Sequence, residues 1–97
     1  MRIVFQPLGS LRRDLPTKEF EVSEALEDLR SLIRILCREI ERAERVFDCE
    51  ALDVRPGYVV FVNRIDSKLL YDVNDFREAI SSSNVVEVAV IPVIHGG

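Results

Sequence analysis

The chain has 97 residues, 47% hydrophobic and 31% charged, with a formal net charge of −4. That length makes one domain with a modest core. The acidic balance argues against nucleic acid or an anionic membrane as a main partner.

No apolar run approaches the ~18 residues of a membrane span, and no secretory leader is read, so the expected location is the cytoplasm. Two cysteines are too few for a disulfide framework or a zinc site.

Ile3-Val4-Phe5 is β-branched and aromatic, and Pro7 and Gly9 stop it, so the chain opens on a strand. Residues 8–18, with Arg12, Arg13 and Pro16, form a basic hairpin loop. Glu19-Phe20-Glu21-Val22 alternates, which turns Phe20 and Val22 to one side of a second strand.

Ser23 is a candidate N-cap, with Glu24, Glu27 and Asp28 near the positive end of a helix dipole. Leu26, Leu29, Leu32, Ile33, Leu36, Cys37, Ile40, Ala43 and Phe47 then recur at helical spacing. The pattern predicts one amphipathic helix over 23–47, about 35 Å long at ~1.5 Å per residue. Arg30, Arg34, Arg38, Arg42 and Arg45, interleaved with Glu27, Glu41 and Glu44, form a solvated opposite face. Ile35 falls on that charged side and is expected to tolerate truncation. Cys37 reads as a small buried hydrophobe. Cys49 sits in the following loop, and neither cysteine has the neighbours of a catalytic thiol.

Pro56-Gly57 signals a turn before Tyr58-Val59-Val60-Phe61-Val62, the strongest strand in the middle of the chain. Residues 63–68 are polar and turn-like. Leu69-Leu70-Tyr71 is expected as a short edge strand, and Asp72 or Asn74 as the cap of a single helical turn through Phe76 and Ile80. Val85 to Ile91 is a buried strand, and Pro92 weakens its pairing because it has no N–H to donate.

One helix and a run of strands bury their faces on each other, which gives an α+β domain of two layers. The two β-branched end strands lie side by side at the centre of a mixed sheet. The domain spans 1–92, and 93–97 is a tail ending in Gly96-Gly97. There is no nucleotide loop, metal spacing or acid–base pair, so no metal or bound cofactor is expected and the chain does not read as an enzyme.

The Gly-Gly has a chemical use. An enzyme that activates a carboxylate can thread backbone through a narrow channel only where no Cβ projects. His95 reads as a spacer.

Element order, Val60-Phe61-Val62-Asn63, Val86-Glu87-Val88-Ala89-Val90-Ile91-Pro92-Val93 and the terminal Gly96-Gly97 together resemble the ubiquitin-like β-grasp sulfur carriers. These include the molybdopterin synthase small subunit, the thiamine-pathway sulfur carrier and archaeal relatives that modify proteins. The chain departs from that family with Ser83-Asn84 in place of a Gly-Asp turn, and with Val93 after Pro92 in place of a second proline.

The resemblance implies that Gly97 is adenylated by a ubiquitin-activating-type enzyme using ATP and magnesium. Sulfur then displaces the adenylate to leave a thiocarboxylate, used for molybdopterin, thiamine or tRNA thiolation. It also implies an alternative, conjugation of Gly97 to target lysines, and a partner role as the small subunit of a synthase. A third alternative is a β-grasp interaction module with an inert tail. Because strands alternate, Phe61, Val88, Val90 and Pro92 include some that face away from the helix, and these are expected to form an apolar docking patch on the open face of the sheet, with Gly96 entering the enzyme's channel.

Overall fold

The structure is a computed structural model and describes residues 1–81 and 83–93. The strands are β1 (Arg2–Pro7), β2 (Lys18–Glu21), β3 (Phe47–Asp48), β4 (Asp53–Val54), β5 (Tyr58–Val62), β6 (Ile65–Asp66) and β7 (Val85–Pro92). The helices are α1 (Leu29–Glu39) and α2 (Val73–Ile80). Five strands form one mixed sheet in the order β2-β1-β7-β5-β6, and β3 and β4 form a separate hairpin.

The two end strands do meet at the centre. β1 runs parallel to β7, with Ile3 opposite Val86 and Phe5 opposite Val88, and β5 flanks β7 antiparallel on the other side. Strand alternation turns Ile3, Phe5, Val60, Val62, Val86, Val88 and Val90 into one buried cluster with Leu29, Leu32, Ile33 and Leu36 of α1. Each such side chain contributes about 1.5–3 kcal/mol by leaving water.

The helix is shorter than its sequence pattern. It starts at Asp28, whose carboxylate accepts from Ser31 N–H at 2.8 Å while Ser31 Oγ accepts from Asp28 N–H at 3.1 Å. This reciprocal cap satisfies donors that would otherwise be orphaned, five residues after the expected start. The helix stops at Ile40, which is extended, and Arg42 is left-handed with φ 63°. Lys18 Nζ donates to the Glu39 carbonyl at 2.9 Å and closes the negative end. Ala43 and Phe47 are buried as expected, but from a 3₁₀ turn (Ala43–Arg45) and from β3. Periodicity reports which residues are buried, and here burial at helical spacing outlasts the helix.

Ile35 is a second correction. It is 2% exposed. Residues turn about 100° each around a helix, so Ile35 lies about 60° beyond Leu32. The buried arc of α1 is therefore wider than one stripe. Three of the five arginines of the charged face have local partners: Arg38 pairs with Glu24 at 2.7 Å, Arg45 with Asp14 at 3.0 Å, and Arg30 donates to the Ala51 carbonyl at 2.9 Å. The Arg38 guanidinium hydrogen bond holds Glu24 below the usual carboxylate range.

Cys37 and Cys49 form a disulfide, with their Cα atoms 5.9 Å apart. The bridge ties α1 to the β3–β4 hairpin, where the sequence reading had Cys37 as an unbridged core residue. Within that hairpin the Asp48 carboxylate accepts from the N–H groups of Ala51 and Glu50, which holds it below its ordinary range.

The edge strand also moves. Asn63 and Arg64 have φ of 48° and 70°, the paired left-handed geometry of a two-residue hairpin turn. Ile65 and Asp66 consequently pair back onto Val62 and Phe61 as β6. Ser67–Leu69 coil into a 3₁₀ turn capped by Asp66, so of the expected Leu69-Leu70-Tyr71 edge strand Leu69 lies in that turn and Leu70 and Tyr71 lie in no strand. Asp72 caps α2, accepting from Asn74 N–H at 2.8 Å. The helix runs for eight residues rather than one turn. Among the described residues no helix is long and apolar enough to cross a membrane.

Candidate functional site

β7 is the central strand, and its far end carries the chain out of the sheet. The Val93 N–H donates to the Gly57 carbonyl at 2.8 Å, so odd-numbered residues of β7 address β5 and even-numbered ones address β1. Pro92 therefore turns its missing donor toward β1, whose ladder has already ended at the Pro7–Val90 pair. The proline costs no sheet bond at that point.

Two glycines bracket this exit. Gly57, at φ +94°, supplies the carbonyl that holds Val93, and Gly9, at φ +60°, brings backbone alongside the Pro92 ring. Ile94, His95, Gly96 and Gly97 lie outside the described residues, so the tail and its proposed reactive carboxylate are not placed.

A groove of about 330 Å³ opens beside Val93, lined also by Asp53, Arg55, Tyr58, Lys68 and Tyr71. The Tyr71 hydroxyl donates to Asp53 Oδ1. That bond to a carboxylate, with some burial, pushes the phenol up to about 12. The phenol thus stays protonated through the physiological range and acts as a donor, not as a nucleophile.

The open face of the sheet is apolar at its centre, but not through all the expected residues. Val88 and Val90 share the parity of Val86 and are buried in the core, and Pro92 follows the same parity. Of the four expected docking residues, only Phe61 faces outward. Alternation along β7 instead exposes Glu87, Ala89 and Ile91. Register sets Val4 beside Glu87, and Phe61 and Gln6 on either side of Ala89, with Val59 beside Ile91. The short Ala89 side chain, flanked by longer ones, leaves a hollow of about 300 Å³ between Val4, Gln6, Phe61 and Arg64. Glu87 was the signal available in the sequence. A charge inside an apolar strand marks the solvent face, and its even-numbered neighbours must then point inward.

Among the described residues no group of three or more His, Cys, Asp or Glu side chains could hold a metal ion, and there is no free cysteine. The arrangement is an apolar open face with a hollow at Ala89, beside the end of β7.

No protein-family model and no curated protein matches the sequence. Solved structures do match. The chain is similar to the HVO 2177 protein of Haloferax volcanii with a TM-score of 0.62 at 18% identity, covering 100% of this chain and 87% of that one. It is similar to Urm1 from Trypanosoma brucei with a TM-score of 0.57 at 21% identity, covering 99% and 95% respectively. The shared architecture, a mixed sheet with its two end strands parallel at the centre and a helix across one face, is the ubiquitin-like β-grasp fold.

Proposed function

We propose that the chain is a ubiquitin-like sulfur carrier whose Gly97 carboxylate is activated by an adenylating enzyme. The observation that carries this reading is the course of β7, the central strand of the sheet, which leads to Val93, four residues before Gly97 in the sequence.

The carboxylate oxygen attacks the α-phosphate of ATP, held with magnesium by the enzyme, and pyrophosphate leaves. Hydrosulfide then attacks the acyl-adenylate carbonyl and AMP leaves with the bonding electrons, which produces the thiocarboxylate. The carrier supplies position, and the activated acyl group supplies the leaving group.

The four residues after Val93 reach at most about 13–14 Å when extended, so the enzyme must also grip the folded body. Ordering those residues costs about 4–8 kcal/mol. Burying Val4, Val59, Phe61, Ala89 and Ile91 on the open face offsets that cost.

ATP–pyrophosphate exchange with the cognate activating enzyme tests the proposal. Deleting Gly97 withdraws the carboxylate by about 3.3–3.6 Å. Because a misplacement of about 1 Å can cost about a hundredfold, exchange should be lost. Gly96→Ala should impair exchange as well, and His95→Ala should leave it near wild type. Intact mass spectrometry of protein from the native host should read a terminus at Gly97 with one sulfur exchanged for oxygen. A Gly-Gly remnant on lysines of other proteins would assign the protein-modifier alternative instead. Full exchange in a chain ending at Gly96 would defeat both and leave an interaction module.

A further inference from the structure

The end of β7 remote from the tail borders a groove that the proposed chemistry does not use. β5 stops at Val62, opposite Val88, so Val85 to Glu87 run on past the last ladder pair. The space beside them is a groove of about 800 Å³ between the β5–β6 hairpin and α2.

Ile65, Leu69, Leu70, Ala79 and Val85 form its apolar lining, and Asp75, Glu78 and Glu87 its acidic one. Leu69 is 68% exposed, the highest value among the large hydrophobics of the described residues. None of the three carboxylates has an ion-pair partner within 4.0 Å among the described residues. Among the described residues Arg64 is the one cation on the groove wall. Glu78 and Asp75 lie three apart on α2 and so face the same way. Exposed apolar side chains rimmed by uncompensated charge of one sign mark a surface built for a partner of the other sign.

We propose that this groove docks a basic amphipathic helix of a partner protein, with its apolar face against Ile65, Leu69 and Val85 and its Lys or Arg side chains on Asp75, Glu78 and Glu87. Strand addition is the poorer fit. β6 offers only two residues of ladder. Glu87 has already spent its main chain on Asn63, donating to Oδ1 at 2.8 Å and accepting from the Asn63 N–H at 2.8 Å. Recognition therefore falls to side chains, as in helix-in-groove binding. From Glu87 to Val93 the strand extends about 20 Å at ~3.3 Å per residue. An occupant of the groove thus leaves the tail exit accessible. The site does not depend on the tail's chemistry and can be tested on the isolated chain.

The test is an amide NMR titration with a synthetic helical peptide of leucine and lysine, alongside its leucine–glutamate counterpart. Shifts are expected at 63–65, 69–79 and 85–87 with the lysine peptide, weakened by salt, and none with the glutamate peptide. Leu69→Ser and the Asp75→Lys, Glu78→Lys double variant alter exposed positions, and the same spectra report their folding. Each should weaken binding about tenfold or more. Shifts centred on Ala89 and Ile91, equal binding of the two peptides, unchanged affinity in both variants, or no shifts at all would each overturn the proposal.

Discussion

Reducing the Cys37–Cys49 bridge should lower stability by a calculable amount. The bridge closes a loop with a sequence separation of 12. The chain-entropy relation for a loop of that size gives a stabilisation of about 3 kcal/mol, exerted by restricting the unfolded chain. Unfolding entropies scale with length, and for a domain of this size each kcal/mol moves Tm by roughly 5 °C, so reduction should lower Tm by about 15 °C. The native contacts around the bridge should survive reduction, because Arg30 still holds the Ala51 carbonyl and Phe47 is still buried. The assay is thermal unfolding by circular dichroism with and without a phosphine reductant, and a thiol count on the unreduced, denatured protein. A Cys37→Ala, Cys49→Ala double variant should unfold near the reduced protein and ignore the reductant. A Tm that moves by less than about 2 °C on reduction would refute the loop-entropy argument. Titratable thiols in the unreduced protein would refute the bridge itself.

Ile33→Ala and Ile35→Ala should each cost about 2–5 kcal/mol in urea unfolding. Arg34→Ala, between them, should cost less than about 0.5 kcal/mol. A mild Ile35→Ala would return that residue to the solvated face. Asn63→Ala should cost about 1–3 kcal/mol, because it removes the donor to the Ala79 carbonyl and the acceptor of Glu87 N–H together; a loss within error would show that neither bond matters. In a Tyr58→Phe background, ultraviolet titration should find the Tyr71 phenol near 12, and Asp53→Asn should return it toward the ordinary value of about 10. A raised folded value means that the stabilisation is present below the unfolded pKa and is lost as pH climbs through about 12. Alkaline unfolding should therefore begin earlier in Asp53→Asn.

The architecture was legible because its signals were strong and redundant. The β-branched runs at 3–5, 58–62 and 85–91 each became a strand, and the helical spacing of Leu29, Leu32, Ile33 and Leu36 was real. The misses have separate physical causes. Capping by Asp28 and Ser31 set the helix start locally, against an apolar pattern that continued on both sides. β6 depended on confining the expected turn of 63–68 to left-handed Asn63-Arg64, and arginine, an unusual choice in that conformation, did not mark where the turn ended. A single bridge between neighbouring elements leaves no cysteine pattern to count, so arithmetic aimed at frameworks passed over it. At the docking face, hydrophobicity alone selected Val88 and Val90, whereas the parity set by Glu87 assigned them to the core.

The pairing of β1 with β7 also constrains how the molecule can be made. Ile3 and Phe5 find their partners in Val86 and Val88, nearly the whole length of the chain away. During synthesis the β1–β2 hairpin and α1 emerge first, with one edge of β1 and a wide apolar arc uncovered. The edge of β1 cannot be paired until residues 85–92 exist, so a fragment lacking β7 cannot complete the native core and exposes an aggregation-prone edge. Contacts of such long sequence separation place closure of the sheet late, and folding should be slow for a chain of this size.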